Sequence, residues 1–86
     1  MTKKSTKQIL YETVRGNVAM LLKHRGWTMP ALAKVLQMSA VTLYKRQRSP
    51  QTYTLQEIAI IAEWMGVSVA EMMEDPFAKK VRKDVG

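Results

Sequence analysis

The chain has 86 residues and carries 14 lysine and arginine residues against 7 aspartate and glutamate residues, a formal net charge of +7. Its length allows one small domain and excludes two, and the absence of cysteine excludes disulfide bonds and thiolate metal sites. No stretch approaches the ~20 apolar residues that cross a bilayer, and no apolar signal-peptide segment follows the basic N-terminus, so we expect a cytoplasmic protein without a membrane partner.

A first helix is predicted from Ser5 to Gly26. Ser5 and Gln8 have the spacing of a capping box, and Gly26 ends the helix after a basic last turn. Gly16 weakens this helix by about 1 kcal/mol relative to alanine, which a close approach by another helix would explain. The predicted buried stripe consists of apolar residues three and four positions apart, namely Leu10, Val14, Val18, Leu21 and Leu22.

Two short helices are predicted next, separated by only three or four residues. Thr28 is a favourable cap for the second helix, and Pro30 is tolerated in its first turn. Ser39 caps a third helix that runs to about Gln47. The turn-rich connector behind the third helix contains Pro50.

Capping boxes predict the last two helices. Thr54 with Glu57 begins a fourth helix that ends at Gly66, and Ser68 with Glu71 begins a short fifth helix. The predicted apolar positions are Leu55, Ile58, Ile61, Ala62 and Met65 in the fourth helix and Val69, Met72 and Met73 in the fifth. No segment has a strand pattern, so the predicted fold is all-α with five helices.

Three parts of the chain are distinguished by composition. We expect a basic N-terminal arm at residues 1–7, a helical domain at residues 8–75, and a basic, flexible tail at residues 76–86. Charge is uneven: residues 1–50 hold ten basic residues and one acid, whereas residues 51–86 hold four basic residues and six acids. This asymmetry favours a polyanionic partner, although solubility alone would also account for it.

The short link between the second and third helices makes them cross steeply. A small residue is then needed at Ala33, where the helices pack most closely, and larger apolar side chains fill the angle between them: Leu32, Leu36, Met38 and Leu43. This is a helix-turn-helix arrangement, whose second helix can enter the major groove of DNA.

Residues 26–73 resemble the phage-repressor-like helix-turn-helix family of the Cro, lambda-repressor and Xre type. The agreements are Gly26-Trp27-Thr28, Leu32-Ala33, Ser39, Leu43 and the segment TLQEIAIIAEWMGVSVAEMM at residues 54–73. The resemblance implies a compact five-helix lambda-repressor-like DNA-binding domain with a helix-turn-helix.

The sequence departs from the family pattern at several positions. Met29 replaces a usual glutamine, and Gln37 replaces a turn glycine, so the turn must accept a left-handed residue at a cost of roughly 1 kcal/mol or change shape. Arg46 replaces an apolar residue, and we expect its stem to pack while its head reaches water. Leu22 and Gln47 replace an Arg–Glu pair, which leaves no lone buried charge.

The resemblance assigns DNA contacts residue by residue. The residues expected to contact base edges are Ala40, Val41, Tyr44, Lys45 and Arg48. Helical spacing also places them on one face. Backbone contacts are expected from Thr28, Met29, Ser39, Thr42, Thr52 and Tyr53, with Lys3, Lys4 and Lys7 following phosphates as an arm. Alternatives remain open: Arg48 could contact a base or the backbone, Tyr44 could be a packing residue, Val41 could simply face water, and Arg46 could be structural.

These features predict a sequence-specific DNA-binding transcriptional regulator, a phage or prophage-type repressor that binds a palindromic operator in double-stranded DNA as a homodimer. The predicted dimer patch consists of Ile60 and Trp64 with Met72 or Met73. The alternatives are an antitoxin that regulates its own promoter and a protein-interaction module of the same fold.

An enzyme is not expected. His24 is the single histidine, and the sequence shows neither a nucleophile–base pair nor a glycine-rich phosphate loop. We expect no cofactor, no metal and no small-molecule substrate.

Overall fold

The computed structural model describes residues 5–74, which fold into five α-helices and one 3₁₀ turn. The elements are α1 (Thr6–Arg25), α2 (Met29–Val35), α3 (Ala40–Arg48), the 3₁₀ turn (Pro50–Thr52), α4 (Leu55–Met65) and α5 (Val69–Met72). No strand occurs within residues 5–74, and the all-α prediction is confirmed. None of the helices in this range is long and apolar enough to cross a membrane.

The predicted arm and tail lie largely outside the described residues. Lys7 is an exception, because α1 already begins at Thr6 and Lys7 belongs to its first turn. The predicted boundary between arm and domain at residues 7 and 8 therefore falls inside a helix. Lys3, Lys4 and residues 76–86 lie outside residues 5–74.

Every predicted helix start is confirmed, because each is fixed by a local hydrogen bond. The capping side chains accept from a backbone amide three residues later, at 3.0–3.2 Å: Ser5, Thr28, Ser39, Thr54 and Ser68. Reciprocal capping boxes form at α4 and α5, whereas at α1 only the Ser5 half of the predicted box with Gln8 forms. These bonds satisfy amides that the helices cannot pair internally.

Three helices end in the same motif, in which one residue has left-handed backbone and two amides return to the last turn. The left-handed residues are Gly26 after α1 (φ 70°), Gln37 after α2 (φ 58°) and Gly66 after α4 (φ 73°). At the α2 end, the Met38 amide donates to the carbonyl of Ala33 and the Gln37 amide to that of Lys34, both at 3.0 Å. The turn between α2 and α3 thus keeps a glycine-type geometry without glycine.

One apolar core joins all five helices. Its fully buried side chains come from the inner faces of α1 (Val14, Val18), α2 (Leu32), α3 (Leu43), α4 (Ile58, Ile61, Met65) and α5 (Met72). Leu36 and Ala33 are also buried, and Met38 is partly buried, so the predicted filling of the α2–α3 angle is confirmed. Among the described residues, Asn17 is a polar residue buried beside this core. Its side-chain Nδ2 donates to the carbonyls of Met72 (2.7 Å) and Glu74 (3.0 Å).

Two predicted core residues are wrong, and the helix contact that would explain Gly16 is not found. Leu10 and Leu55 are 40% and 66% exposed, and both lie near the N-terminal ends of their helices, as the fifth residue of α1 and the first residue of α4. They line an apolar groove that also includes Tyr11 and Met73. Gly16 is exposed, and a Cβ there would meet nothing within 4 Å, so no other helix approaches it.

Candidate nucleic-acid interface

One face of α3 points out of the bundle. Val41 is 65% exposed and Tyr44 is 51% exposed, and Lys45 and Arg48 are exposed beside them, whereas Leu43 is completely buried. The orientation predicted for this helix is therefore confirmed. Ala40 differs from the rest, because it is partly buried against the core and presents only part of its methyl group.

The N-terminus of α3 is held by paired hydroxyl groups. The Ser39 hydroxyl accepts from the Thr42 amide at 3.1 Å and donates to the Thr42 hydroxyl at 2.9 Å. Ala33 of α2 is small and buried, as the predicted close packing of α2 and α3 requires. The outward face is thus presented by a helix whose start and inner side are both fixed.

Arg46 holds the other end of α3, because its head forms an ion pair while the side chain stays 27% exposed. Its guanidinium donates to both carboxylate oxygens of Glu57, at 3.1 and 3.2 Å. Burial raises the pKa of Glu57, but the hydrogen bonds from Arg46 and Thr54 outweigh burial and bring the pKa below its usual value. Glu57 therefore remains charged at neutral pH and ties α3 to α4.

Tyr53 is not available for the DNA backbone contact predicted for it. Its side chain is only 2% exposed, and its hydroxyl donates to the Gln47 side-chain oxygen at 2.6 Å. The Gln47 amide group in turn donates to the carbonyl of Arg15 at 3.3 Å. Burial, followed by the negative charge of Glu57, raises the pKa of the Tyr53 phenol well above its usual range. Tyr53 and Gln47 thus form a neutral link between α1 and the end of α3.

The other predicted backbone contacts differ in what they can still donate. The exposed Thr28 hydroxyl accepts from the Ala31 amide at 3.2 Å, which leaves its proton for an outside acceptor. Thr52 is exposed but already donates to the carbonyl of Ser49 at 2.6 Å. Met29 is partly buried and packs against the core, so its side chain offers at most an apolar contact.

A cationic cleft lies beside the outward face of α3, between the first half of α1 and the end of α3. Its basic residues are Lys7 and Arg15 from α1 and Arg48 from α3, and Glu12 lines it as well. Sequence reasoning did not single out Arg15. The spacing of Lys7 and Arg15, eight residues apart on one helical face, was a usable signal, but the position of α1 relative to α3 was not known.

The predicted dimer patch is only partly assembled. Ile60 and Trp64 are partly buried and line one shallow depression, and the Trp64 ring lies against the Trp27 ring with centroids 4.4 Å apart. Met72 is completely buried on the inner face of α5, so its assignment to an interface is wrong. Met73 is partly buried and lines the separate groove near Leu55.

Within residues 5–74, no three histidine, cysteine, aspartate or glutamate side chains lie close enough together to hold a metal ion.

Comparisons with protein-family models, curated proteins and solved structures found no significant match to this chain.

Proposed function

We propose that this chain is a sequence-specific DNA-binding transcriptional regulator, in which α2 and α3 form a helix-turn-helix and α3 enters the major groove. The observation that carries the proposal is the outward face of α3, where Val41, Tyr44, Lys45 and Arg48 are exposed while Leu43 anchors the opposite side. The ten basic residues among residues 1–50 supply attraction to a polyanion. The role of a phage or prophage-type repressor is proposed from the resemblance in residues 26–73.

The side chains on this face have distinct chemistry for base edges. Val41 offers an apolar contact that suits the methyl group of thymine, and Lys45 offers an ammonium group that suits the O6 and N7 atoms of guanine. Tyr44 lies one turn beyond Ala40, with an exposed ring and hydroxyl. Thr28 could donate to a phosphate and fix the register of the helix without reading sequence.

The salt dependence of DNA binding tests the proposal. A labelled duplex of mixed sequence is titrated with the protein at 50 and 200 mM salt, with fluorescence polarisation as the readout. A protein that contacts 6–10 phosphates loses roughly 10³–10⁵ in affinity over this range. Binding that is equally tight at both concentrations, or no binding at the lower one, would overturn it. Selection from random-sequence DNA then reports the preferred site, and a palindrome is expected.

The homodimer is part of the proposal, because a single small module makes few base contacts. Its two recognition helices would reach half-sites about 34 Å apart. Sedimentation of Ile60→Lys and Trp64→Lys tests the depression formed by these residues. A loss of dimer mass in both variants is expected. Circular dichroism verifies that Trp64→Lys is still folded after the loss of the Trp27–Trp64 contact. If both variants are folded and both still sediment with the mass of a dimer, this surface is not the interface.

A further inference from the structure

The cationic cleft defined by Lys7, Arg15 and Arg48 joins segments that are far apart in the sequence. Lys7 and Arg15 lie two turns apart on one face of α1, and Arg48 is in the last turn of α3. Lys7 and Arg48 are exposed, and Arg15 is partly buried. The exposed polar side chains of Gln8 and Gln51 line the same cleft and add neutral hydrogen-bond donors.

Three cations in one cleft repel each other unless an anion lies among them. Glu12 is the acidic residue that lines the cleft, and one carboxylate can neutralise only one of the three charges. The guanidinium groups of Arg15 and Arg48 present forked donors, which match the oxygens of a phosphate. The chemistry of the cleft therefore favours a phosphate group.

The position of the cleft relates it to the outward face of α3. Arg48 belongs to both, and it follows Val41 by seven residues, about 10 Å along the helix axis. In a helix-turn-helix the N-terminal residues of the recognition helix contact base edges, so Arg48, in the last turn of α3, is the member of the outward face farthest from them.

We infer that this cleft binds the phosphodiester backbone of DNA beside the groove that α3 enters, and that Arg48 contacts phosphate there and does not read a base. The inference rests on the proposed function and extends it, because it adds α1 to the DNA-binding surface. The cleft contributes affinity and orientation without sequence preference.

The test compares the salt dependence of DNA binding among charge-removing variants. Each lost phosphate contact lowers the slope of log affinity against log salt by about 0.9. We expect this decrease for Arg15→Gln, Lys7→Gln and Arg48→Gln, equally on every duplex sequence. Lys23→Gln is the matched control, because Lys23 is exposed on the same helix but lies outside the cleft. Circular dichroism verifies that each variant is folded.

The outcomes separate the inference from the proposed function. If the wild type binds DNA with a steep slope while Arg15→Gln and Lys7→Gln behave like Lys23→Gln, the cleft is not a DNA site and the proposed function stands. A sequence-dependent loss in Arg48→Gln would return Arg48 to base reading and contradict the inference. Vesicles of phosphatidylserine and phosphatidylcholine form a second arm, and an effect of Arg15→Gln on vesicles alone would assign the cleft to a membrane surface. Absence of DNA binding by the wild type would overturn both.

Discussion

The guanidinium group of Arg46 and the carboxylate of Glu57 form a two-point ion pair that joins the end of α3 to the start of α4. The two distances are 3.1 and 3.2 Å, and the side chains are 27% and 16% exposed. One Glu57 oxygen also accepts from the amide of Thr54 at 3.0 Å and completes the capping box of α4. A single carboxylate thus caps one helix and fixes the position of another.

Loss of the Arg46 head should destabilise the fold. Arg46→Met keeps much of the apolar stem and removes two charge-assisted hydrogen bonds from a mostly buried carboxylate, a cost of about 1–3 kcal/mol. Urea unfolding followed by circular dichroism measures the change in the free energy of unfolding. The matched control is Arg48→Met on the exposed face, which should change stability by less than about 0.5 kcal/mol. Equal effects in the two variants would show that the ion pair contributes nothing particular.

Acid should weaken the fold partly through Glu57. Its pKa is lower in the folded chain than its usual value, so the folded state binds this proton less readily than the unfolded state does. The resulting stabilisation is complete above the usual glutamate pKa of about 4.3 and is lost as the pH falls through the folded-state pKa. The free energy of unfolding is measured between pH 7 and pH 3 for the wild type and Glu57→Gln. The difference between them should shrink below pH 4.3, and a constant difference would contradict the assignment.

Alanine at position 16 should stabilise α1. Gly16 lies in the interior of the helix, its backbone is ordinary, and a Cβ there would meet nothing within 4 Å. Gly16→Ala therefore gains about 0.5–1 kcal/mol from the lower conformational entropy of the unfolded chain. Gly66→Ala is the contrasting control, because Gly66 has a φ of 73° and an alanine there is strained. Thermal unfolding should show a higher melting temperature than the wild type for Gly16→Ala and a lower one for Gly66→Ala.

The sequence allowed the helices to be placed because their ends depend on neighbours three to five residues away. Ser39 and Thr54 cap their helices whatever the helices pack against, and the outward position of Val41 follows from helical periodicity once Leu43 is assigned to the core. The Glu57 partner of Arg46 and the burial of Tyr53 could not be predicted in this way. Their surroundings are set by a second element, which no local pattern specifies.

In the candidate site, too, features within one helix could be predicted and features that depend on two helices could not. The outward face of α3 was predictable, since all its members lie on one helix. Arg15 was not, because its role depends on α1 lying beside the end of α3, an arrangement fixed by core packing and by the link from Tyr53 through Gln47 to the Arg15 carbonyl. Met72 was assigned to the surface for a related reason: a four-residue helix has too little periodicity to show which side faces the core.

Glycine at position 37 should relieve strain in the turn between α2 and α3. Gln37 has a φ of 58° in the same motif that uses Gly26 and Gly66 elsewhere in the chain. Left-handed backbone costs a non-glycine residue about 1–2 kcal/mol, and glycine's greater freedom in the unfolded chain offsets about 0.5–1 kcal/mol of the gain. Gln37→Gly is therefore expected to raise the free energy of unfolding by up to about 1 kcal/mol. Gln37→Val is the opposing control and should lower it, because a β-branched residue tolerates this φ poorly. A destabilised Gln37→Gly variant would mean that the glutamine side chain makes a stabilising contribution larger than the backbone strain.

Lys45 should discriminate at a single base position. It is exposed on the outward face, one turn after Val41 and one turn before Arg48, where an ammonium group can donate to the acceptor atoms of guanine. Once random-sequence selection has given a preferred duplex, Lys45→Ala should lose about 1–3 kcal/mol on that duplex and correspondingly less on a duplex changed at the contacted base pair. Lys34→Ala is the control, because it removes the same charge from the exposed side of α2. Polarisation titrations of the wild type and both variants on both duplexes give the coupling energy between each lysine and the base pair. A coupling energy near zero for Lys45 would make it a phosphate contact, and Val41 and Tyr44 would then be the residues that read the sequence.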